Sequence, residues 1–312
     1  MNAIEVKNLQ RVYRARIGVI KRSIKEVMAV EDISFEIKSG ELFGLLGPNG
    51  AGKTTTVKML ATLLIPSKGT ATILGYDVVK DANEVRKHIG FIFGGDNLRY
   101  FASLYGVEPE VSKKRIPYLL EMVGLKDRGN ERVEGYSRGM KQRLHVARTL
   151  LHDPEILFLD EPTIGLDPVG ARDFRQVIRD LQTEQKTILL TTHYMFEADS
   201  LCQRVAVIDK GMIVALDSPS ELKKHVADLS VIEIETFGTS DEIVERLRAL
   251  SFVDSLHVEE QDQRQMLLIQ TARGAEAVPD VMNSLNGTRV GRVIVREPTL
   301  EDAYVRLVGG HA

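Results

Sequence analysis

Residues 47–54 read Gly47-Pro48-Asn49-Gly50-Ala51-Gly52-Lys53-Thr54, and this octapeptide constrains the fold more than any other stretch of the chain. It matches G-x-x-x-x-G-K-[ST]. An apolar run, ELFGLL at 41–46, precedes it, and a helical pattern runs from Lys53 to about Leu64, stopped by Pro66. The order predicts a buried strand, a glycine-rich turn and a helix. Glycines let successive backbone N–H groups converge on an anion without Cβ clashes. The helix that starts there presents its positive end to the same point. In such a loop Lys53 reaches the β- and γ-phosphates of a nucleotide and the Thr54 hydroxyl ligates Mg²⁺. The bland alternative is a glycine-rich turn before a helix, and the strand–loop–helix context argues against it.

The rest of the chain falls into two patterns. Residues 4–13 and 27–37 alternate apolar and polar in the manner of half-buried strands. Helices are expected at 115–123, 137–152, 169–182 and 195–201, and buried strands at EILFLDEP and TILLTTH (187–193). RVAVID and MIVALD follow, joined by Lys210-Gly211 as in a hairpin. Strands alternating with helices imply a parallel α/β sheet. Near residue 229 the pattern changes. Strand-like VIEIET, FVDSLHV, MLLIQT and RVGRVIV are interleaved with helices at 239–250 and 276–285, and a last helix follows Pro298. The order β-α-β-β-α-β-α predicts a small ferredoxin-like α+β domain. The expected division is 1–228 and 229–312.

Three further clusters carry chemistry. Asp160 and Glu161 end the apolar run ILFLD. In a phosphate-loop fold that strand runs beside the loop, so Asp160 holds Mg²⁺ through water and Glu161 polarises the attacking water. His193 ends TILLTTH. A histidine at the C-terminal edge of a parallel strand faces the usual ligand crevice and can hydrogen-bond a γ-phosphate. Ser137, Arg138 and Gly139 open a helix whose exposed N–H groups can bind an anion, although a serine there normally only caps the helix.

Taken together these motifs resemble the ATP-binding subunit of an ABC transporter. GPNGAGKT matches the Walker A motif and ILFLDE the Walker B motif. YSRGMKQR resembles the LSGGQ-type signature, with Arg138 and Met140 in place of the usual Gly and Gln, in a form similar to ABC-2-type exporters. Ile164-Gly165-Leu166-Asp167 resembles the D-loop and His193 the switch histidine. Tyr13 stands where the family has an aromatic that stacks on adenine. The resemblance covers 3–228 and implies a P-loop ATPase domain with a parallel sheet core and an antiparallel β subdomain. It implies nucleotide contacts from Tyr13, residues 47–55 (Thr55 included) and 137–139, with catalysis by Glu161 and His193. Thr54 and Asp160 would serve the metal. The tail is similar to that of daunorubicin-resistance ATPases, which close on a phrase like Glu297-Pro298-Thr299-Leu300-Glu301-Asp302; a generic accessory domain is the alternative.

The family implies ATP and Mg²⁺ as cofactors, a second ATPase subunit and a separate transmembrane permease, at the cytoplasmic face of the membrane. One departure stands out. The family carries a glutamine about forty residues after Walker A, yet here none occurs between Gln10 and Gln142, and Gly94-Gly95 runs almost directly into Asp96-Asn97. The expectation is a shortened connection that costs a Mg²⁺ and water contact, with Asp96 or Asn97 as possible substitutes.

Composition narrows the classes. Lys+Arg 41 against Asp+Glu 44 gives a net charge of −3, without the basic excess of a bulk nucleic-acid binder. The longest apolar runs fall far below the roughly 20 residues of a membrane helix. The basic stretch with Arg14, Arg16, Lys21, Arg22 and Lys25 reads as a solvated loop or as a contact for anionic lipid. Cys202, the single cysteine, reads as a half-buried structural thiol. The leading function is an exporter motor. A non-exporting ABC ATPase that regulates or remodels its partner, and one acting on DNA or ribosomes, remain alternatives.

Overall fold

The structure, a computed structural model, describes residues 1–17, 23–91, 98, 106–129, 131, 133–261 and 264–309. The side chains of the basic 14–25 stretch, and Asp96 and Asn97 with the shortened connection, lie outside the described residues. The chain forms two compact units, Met1–Ser218 and Pro219–Ala312.

The first unit is built on two sheets. β1 (Asn2–Ile17) and β2 (Ser23–Lys38) form an antiparallel pair, joined on the far side of β1 by β4 (Lys68–Ile73) and β5 (Tyr76–Asp77), in the order β2-β1-β4-β5. The second sheet contains β3 (Leu42–Leu46), β6 (Ile89–Phe91), β7 (Ile156–Asp160), β8 (Thr187–Thr192), β9 (Arg204–Asp209) and β10 (Met212–Asp217). Its order is β10-β9-β3-β8-β7-β6, parallel except for the β9–β10 hairpin. β3 and β8 are buried along their whole length, as unbroken apolar runs demand when both faces are covered. Lys210 (φ +47°) and Gly211 (φ +85°) turn the hairpin with two left-handed residues, the geometry that matches strand twist.

Among the described residues this unit's helices include α1 (Lys53–Leu60), α2 (Ala82–His88), α3 (Pro109–Met122), α4 (Arg138–Thr149), α5 (Pro168–Thr183) and α6 (Met195–Leu201). α3 begins earlier than the expected 115 because Pro109, at its first turn, pre-sets a helical φ. α5 has Asp167 as its cap, accepting from the Gly170 N–H at 2.6 Å, with Pro168 behind it; Phe174, Val177, Ile178 and Leu181 form its buried stripe. Cys202 is buried more deeply than its sequence pattern indicated. It packs where a Cβ at Gly44 of β3 would touch its Sγ, and burial together with the Glu197 charge raises its thiol pKa, so it is unreactive.

The second unit begins at Pro219, earlier than the expected 228/229 division. α7 (Pro219–Lys224) belongs to it, and Val226 and Leu229 pack on Ala303. Its sheet holds β11 (Ser230–Phe237), β12 (Ser255–Gln261), β13 (Arg264–Thr271) and β14 (Arg289–Arg296), antiparallel in the order β12-β13-β11-β14. α8 (Asp241–Arg248) and α9 (Val278–Ser284) seal a core of Ile232, Ile234, Leu247, Leu267, Ile269 and Val281.

α10 (Leu300–Gly309) closes the chain, and the Glu297–Asp302 phrase is its fastening. Asp302, 5% exposed, accepts from the Thr299 N–H at 2.6 Å, the Thr299 hydroxyl at 2.8 Å and Arg296 Nη1 at 2.6 Å. Arg296 also reaches Glu233 on β11. Burial pushes the Asp302 carboxyl up, but the bonds from Arg296 and Thr299 outweigh it and hold it below the usual carboxylate value. A depressed folded pKa contributes stability that is present above the unfolded value, about 3.9, and lost as pH falls through the folded one. Asp302→Asn is therefore expected to cost about 2–3 kcal/mol at pH 7. In urea unfolding the gap to wild type should narrow below about pH 4; a gap independent of pH would contradict the assignment.

Candidate functional site

The phosphate loop leaves the C-terminal end of β3 and winds into α1. Gly52 has φ +109°, and a Cβ there would strike the Ala29 carbonyl of β2. At Gly47 a Cβ would strike the Ile208 carbonyl of β9. At these two glycines the loop is pressed against the two sheets with no room for a side chain, whereas Gly50 faces open space. Gly211 fastens its outer edge: its N–H donates to the Ala51 carbonyl at 3.0 Å, and its carbonyl accepts from the Glu31 N–H at 2.9 Å. The loop encloses a cavity of about 130 Å³ lined by Asn49, Gly50, Lys53, Thr54, Thr55 and Glu161 among others.

Lys53 is 4% exposed and its ammonium uses all three of its protons. It donates to the Gly47 carbonyl at 2.7 Å and the Pro48 carbonyl at 3.1 Å, and lies 3.0 Å from Glu161 Oε1. The other Glu161 oxygen, Oε2, lies 2.8 Å from His193 Nδ1. Both carboxylate oxygens are therefore engaged, one by a cation and one by the imidazole.

β7 does not adjoin β3; β8 lies between them. Asp160 nonetheless meets the loop, because the ends of β3, β8 and β7 lie side by side. The Thr54 hydroxyl donates to Asp160 Oδ1 at 3.2 Å, and the Thr191 hydroxyl donates to the same oxygen at 2.6 Å. Glu161 has φ +46°, a left-handed conformation that is uncommon and costly for a residue with a Cβ. Its N–H donates to the Thr191 carbonyl at 3.1 Å and to the Thr191 hydroxyl at 3.0 Å, which holds the backbone there. Thr191 is a residue the motif reading missed. The only signal was a paired threonine before His193.

The structure thus brings together Lys53, Thr54, Asp160, Glu161 and His193. Ser137, Arg138 and Gly139 stand apart: among the described residues no hydrogen bond or ion pair joins them to 47–55. Ser137 caps α4, accepting from the Met140 N–H at 3.2 Å. The Arg138 guanidinium lies against Gly165, where any Cβ would collide with it. Tyr13 is 38% exposed, with the Arg11 guanidinium 4.9 Å over its ring. It pairs with Val27 on β2, two residues from the Ala29 that touches Gly52.

Thr54 Oγ1 and Asp160 Oδ1 are adjacent hard oxygens, a pair that suits Mg²⁺ when phosphate oxygens and water supply the remaining ligands. A nucleotide's phosphates fit a cavity whose walls are loop N–H groups, a lysine and a helix start. A carboxylate at the rim of that cavity can take a proton from water.

Comparison with known proteins agrees with this geometry. Residues 30–164 match the family model described as ABC transporter. The chain is 31% identical over 302 residues to the linearmycin resistance ATP-binding protein LnrL of Bacillus subtilis, covering 93% of this chain and 96% of that one. It is 37% identical over 300 residues to the Nod factor export ATP-binding protein I of a Rhizobium species, covering 93% and 95%. A dimeric ATP-binding cassette solved in a post-hydrolysis state with ADP and Pi superposes with a TM-score of 0.60 at 25% identity, over 69% of this chain and 98% of that one. A loop that cradles phosphate, a carboxylate poised beside it and relatives matched along nearly the whole length lead to one assignment: this chain belongs to the ATP-binding proteins of ABC transporters, the ATPases that couple ATP hydrolysis to transport.

Proposed function

We propose that this chain drives a membrane exporter of the ABC-2 type from the cytoplasmic face of the membrane, as one of two ATPase subunits bound to a separate permease. The observation that carries the ATPase part is the convergence of Lys53, Asp160, Glu161 and His193 at the ends of three neighbouring strands. The export part is supported by relatives named for linearmycin resistance, Nod factor export and, at 48% identity over 206 residues, fluoroquinolone export in Mycobacterium tuberculosis. Among the described residues no helix is long and apolar enough to cross a membrane, so the reading assigns the span to the permease.

In this reading the loop N–H groups of 47–55 and Lys53 hold the β- and γ-phosphates. Glu161 accepts a proton from the attacking water. With Nδ1 engaged by Glu161, the Nε2 of His193 is the ring atom left for the γ-phosphate. Mg²⁺, held by Thr54 and Asp160, would offset charge on the phosphate oxygens. Ser137, Arg138 and Gly139 serve the nucleotide of the second subunit, a role supported by the helix start they form, whose Ser137 cap leaves other N–H groups for an anion. Tyr13 stacks on adenine beside the loop, a role supported by its exposure and its place near Ala29. The ATPase function is assigned to 1–228 and the accessory function to 229–312, although the compact units part at Ser218 and Pro219. The accessory domain is ferredoxin-like, a reading supported by its β-α-β-β-α-β order and antiparallel neighbours.

Coexpression with a candidate permease encoded beside this chain tests the proposal. The expected result is recovery of the chain in washed membranes only when that subunit is present, with an altered ATPase rate. Recovery in the supernatant regardless, with an unchanged rate, overturns the exporter reading and favours the non-exporting ATPase.

A further inference from the structure

Three successive residues at and just past the end of β8, Thr191, Thr192 and His193, divide their contacts between two places. Thr191 serves Asp160 and Glu161, and His193 serves Glu161. Thr192, 1% exposed, points to neither. Its hydroxyl donates to Glu197 Oε2 at 3.0 Å and accepts from the Tyr194 N–H at 3.0 Å. The Glu197 N–H in turn donates to the Tyr194 carbonyl at 3.0 Å. Residues 192–197 thus close on themselves through three hydrogen bonds, with His193 inside the closed segment.

Glu197 is a carboxylate at 3% exposure, outside the catalytic constellation. Burying such a group is expensive unless it is paired and hydrogen-bonded. Arg175 of α5 supplies the pairing, with Nη1 3.4 Å from Glu197 Oε1 and the guanidinium 5.4 Å over the Phe196 ring. A packing role alone calls for an apolar side chain at that site. A carboxylate adds a fixed acceptor for Thr192, and through it a fixed path for the chain on both sides of His193.

We propose that Glu197, acting through the Thr192 hydroxyl and steadied by Arg175, is the positioning residue that sets the direction of the His193 ring. The inference rests on the reading of His193 as a partner of the γ-phosphate. Positional errors of about 1 Å in a catalytic group can cost up to 10²-fold in rate, so the effect belongs in turnover and not in nucleotide affinity.

The test uses the full chain and measures kcat, KM for ATP and thermal stability in Thr192→Val, Thr192→Ser, Glu197→Ala, Glu197→Gln, His193→Ala and the Thr192→Val/His193→Ala double variant. Thr192→Val is expected to lower kcat about 10-fold or more with KM little changed, and Thr192→Ser to restore it. Glu197→Gln keeps an oxygen for Thr192 and should retain more turnover than Glu197→Ala; this pair serves if Thr192→Val does not fold. In the His193→Ala background Thr192→Val should have no further effect. A slow His193→Ala beside wild-type turnover in Thr192→Val and Glu197→Ala overturns the inference alone. Multiplying effects in the double variant overturn it as well, since the two residues then act independently. Wild-type turnover in His193→Ala overturns the histidine reading, and this inference with it.

Discussion

Glu161→Gln is expected to stop ATP turnover while nucleotide still binds. A glutamine keeps the size of the side chain but cannot take a proton from water, and loss of a general base costs about 10²–10⁴-fold in rate. The structure adds a second expectation. Before nucleotide arrives, Lys53 is held by Glu161 Oε1 at 3.0 Å. Phosphate must draw it away, so that ion pair competes with binding. Glutamine removes the competing charge, and ATP should bind as tightly as to wild type or more so. Single-turnover hydrolysis with a parallel nucleotide titration reads both effects. Hydrolysis at the wild-type rate would remove Glu161 from the role of base.

Lys53→Ala should act at the earlier step. Hydrogen bonds to charged groups contribute about 1.5–3 kcal/mol each. Two lost contacts to the β- and γ-phosphates amount to roughly a hundredfold or more in Kd. The variant also strips Glu161, only 16% exposed, of its cation. Lys53→Arg should not rescue binding. The ammonium meets the Gly47 and Pro48 carbonyls and Glu161 from a single point, and the wider guanidinium fork cannot reproduce that in a site where Lys53 is 4% exposed. Titration with a fluorescent ATP analogue measures it. Unchanged affinity in Lys53→Ala would mean that the loop is not the phosphate site.

The parts legible in the sequence were those where one local pattern decides the structure. β9, β10 and their two-residue turn follow from RVAVID, Lys210-Gly211 and MIVALD. α6 runs over Met195–Leu201, as its pattern indicated. β4 was not legible, because only Ala71 and Ile73 of KGTATI are buried and the alternation is too short to register. α7 was missed for a related reason: only Pro219 and Leu222 are buried in its six residues. Lys53, Asp160 and Glu161 could be named from spacing. Thr191 and the contact of Gly211 with the loop could not, since both arise from neighbours distant in sequence that no local pattern records. The left-handed backbone of Glu161 was equally hidden, because it is imposed by Thr191 from the adjoining strand.

The placement of β3 bears on how the protein comes into being on the ribosome. The strand that carries the phosphate loop is made early, at Leu42–Leu46, yet both of its sheet neighbours, β8 and β9, lie at 187–209, and the loop's outer fastening is at Gly211. Non-local pairing of this kind forms late and leaves apolar edges uncovered in the meantime. The nascent chain therefore carries a complete Walker A sequence long before it can hold a nucleotide. Competence for ATP should appear abruptly, once the β9–β10 turn has cleared the exit tunnel.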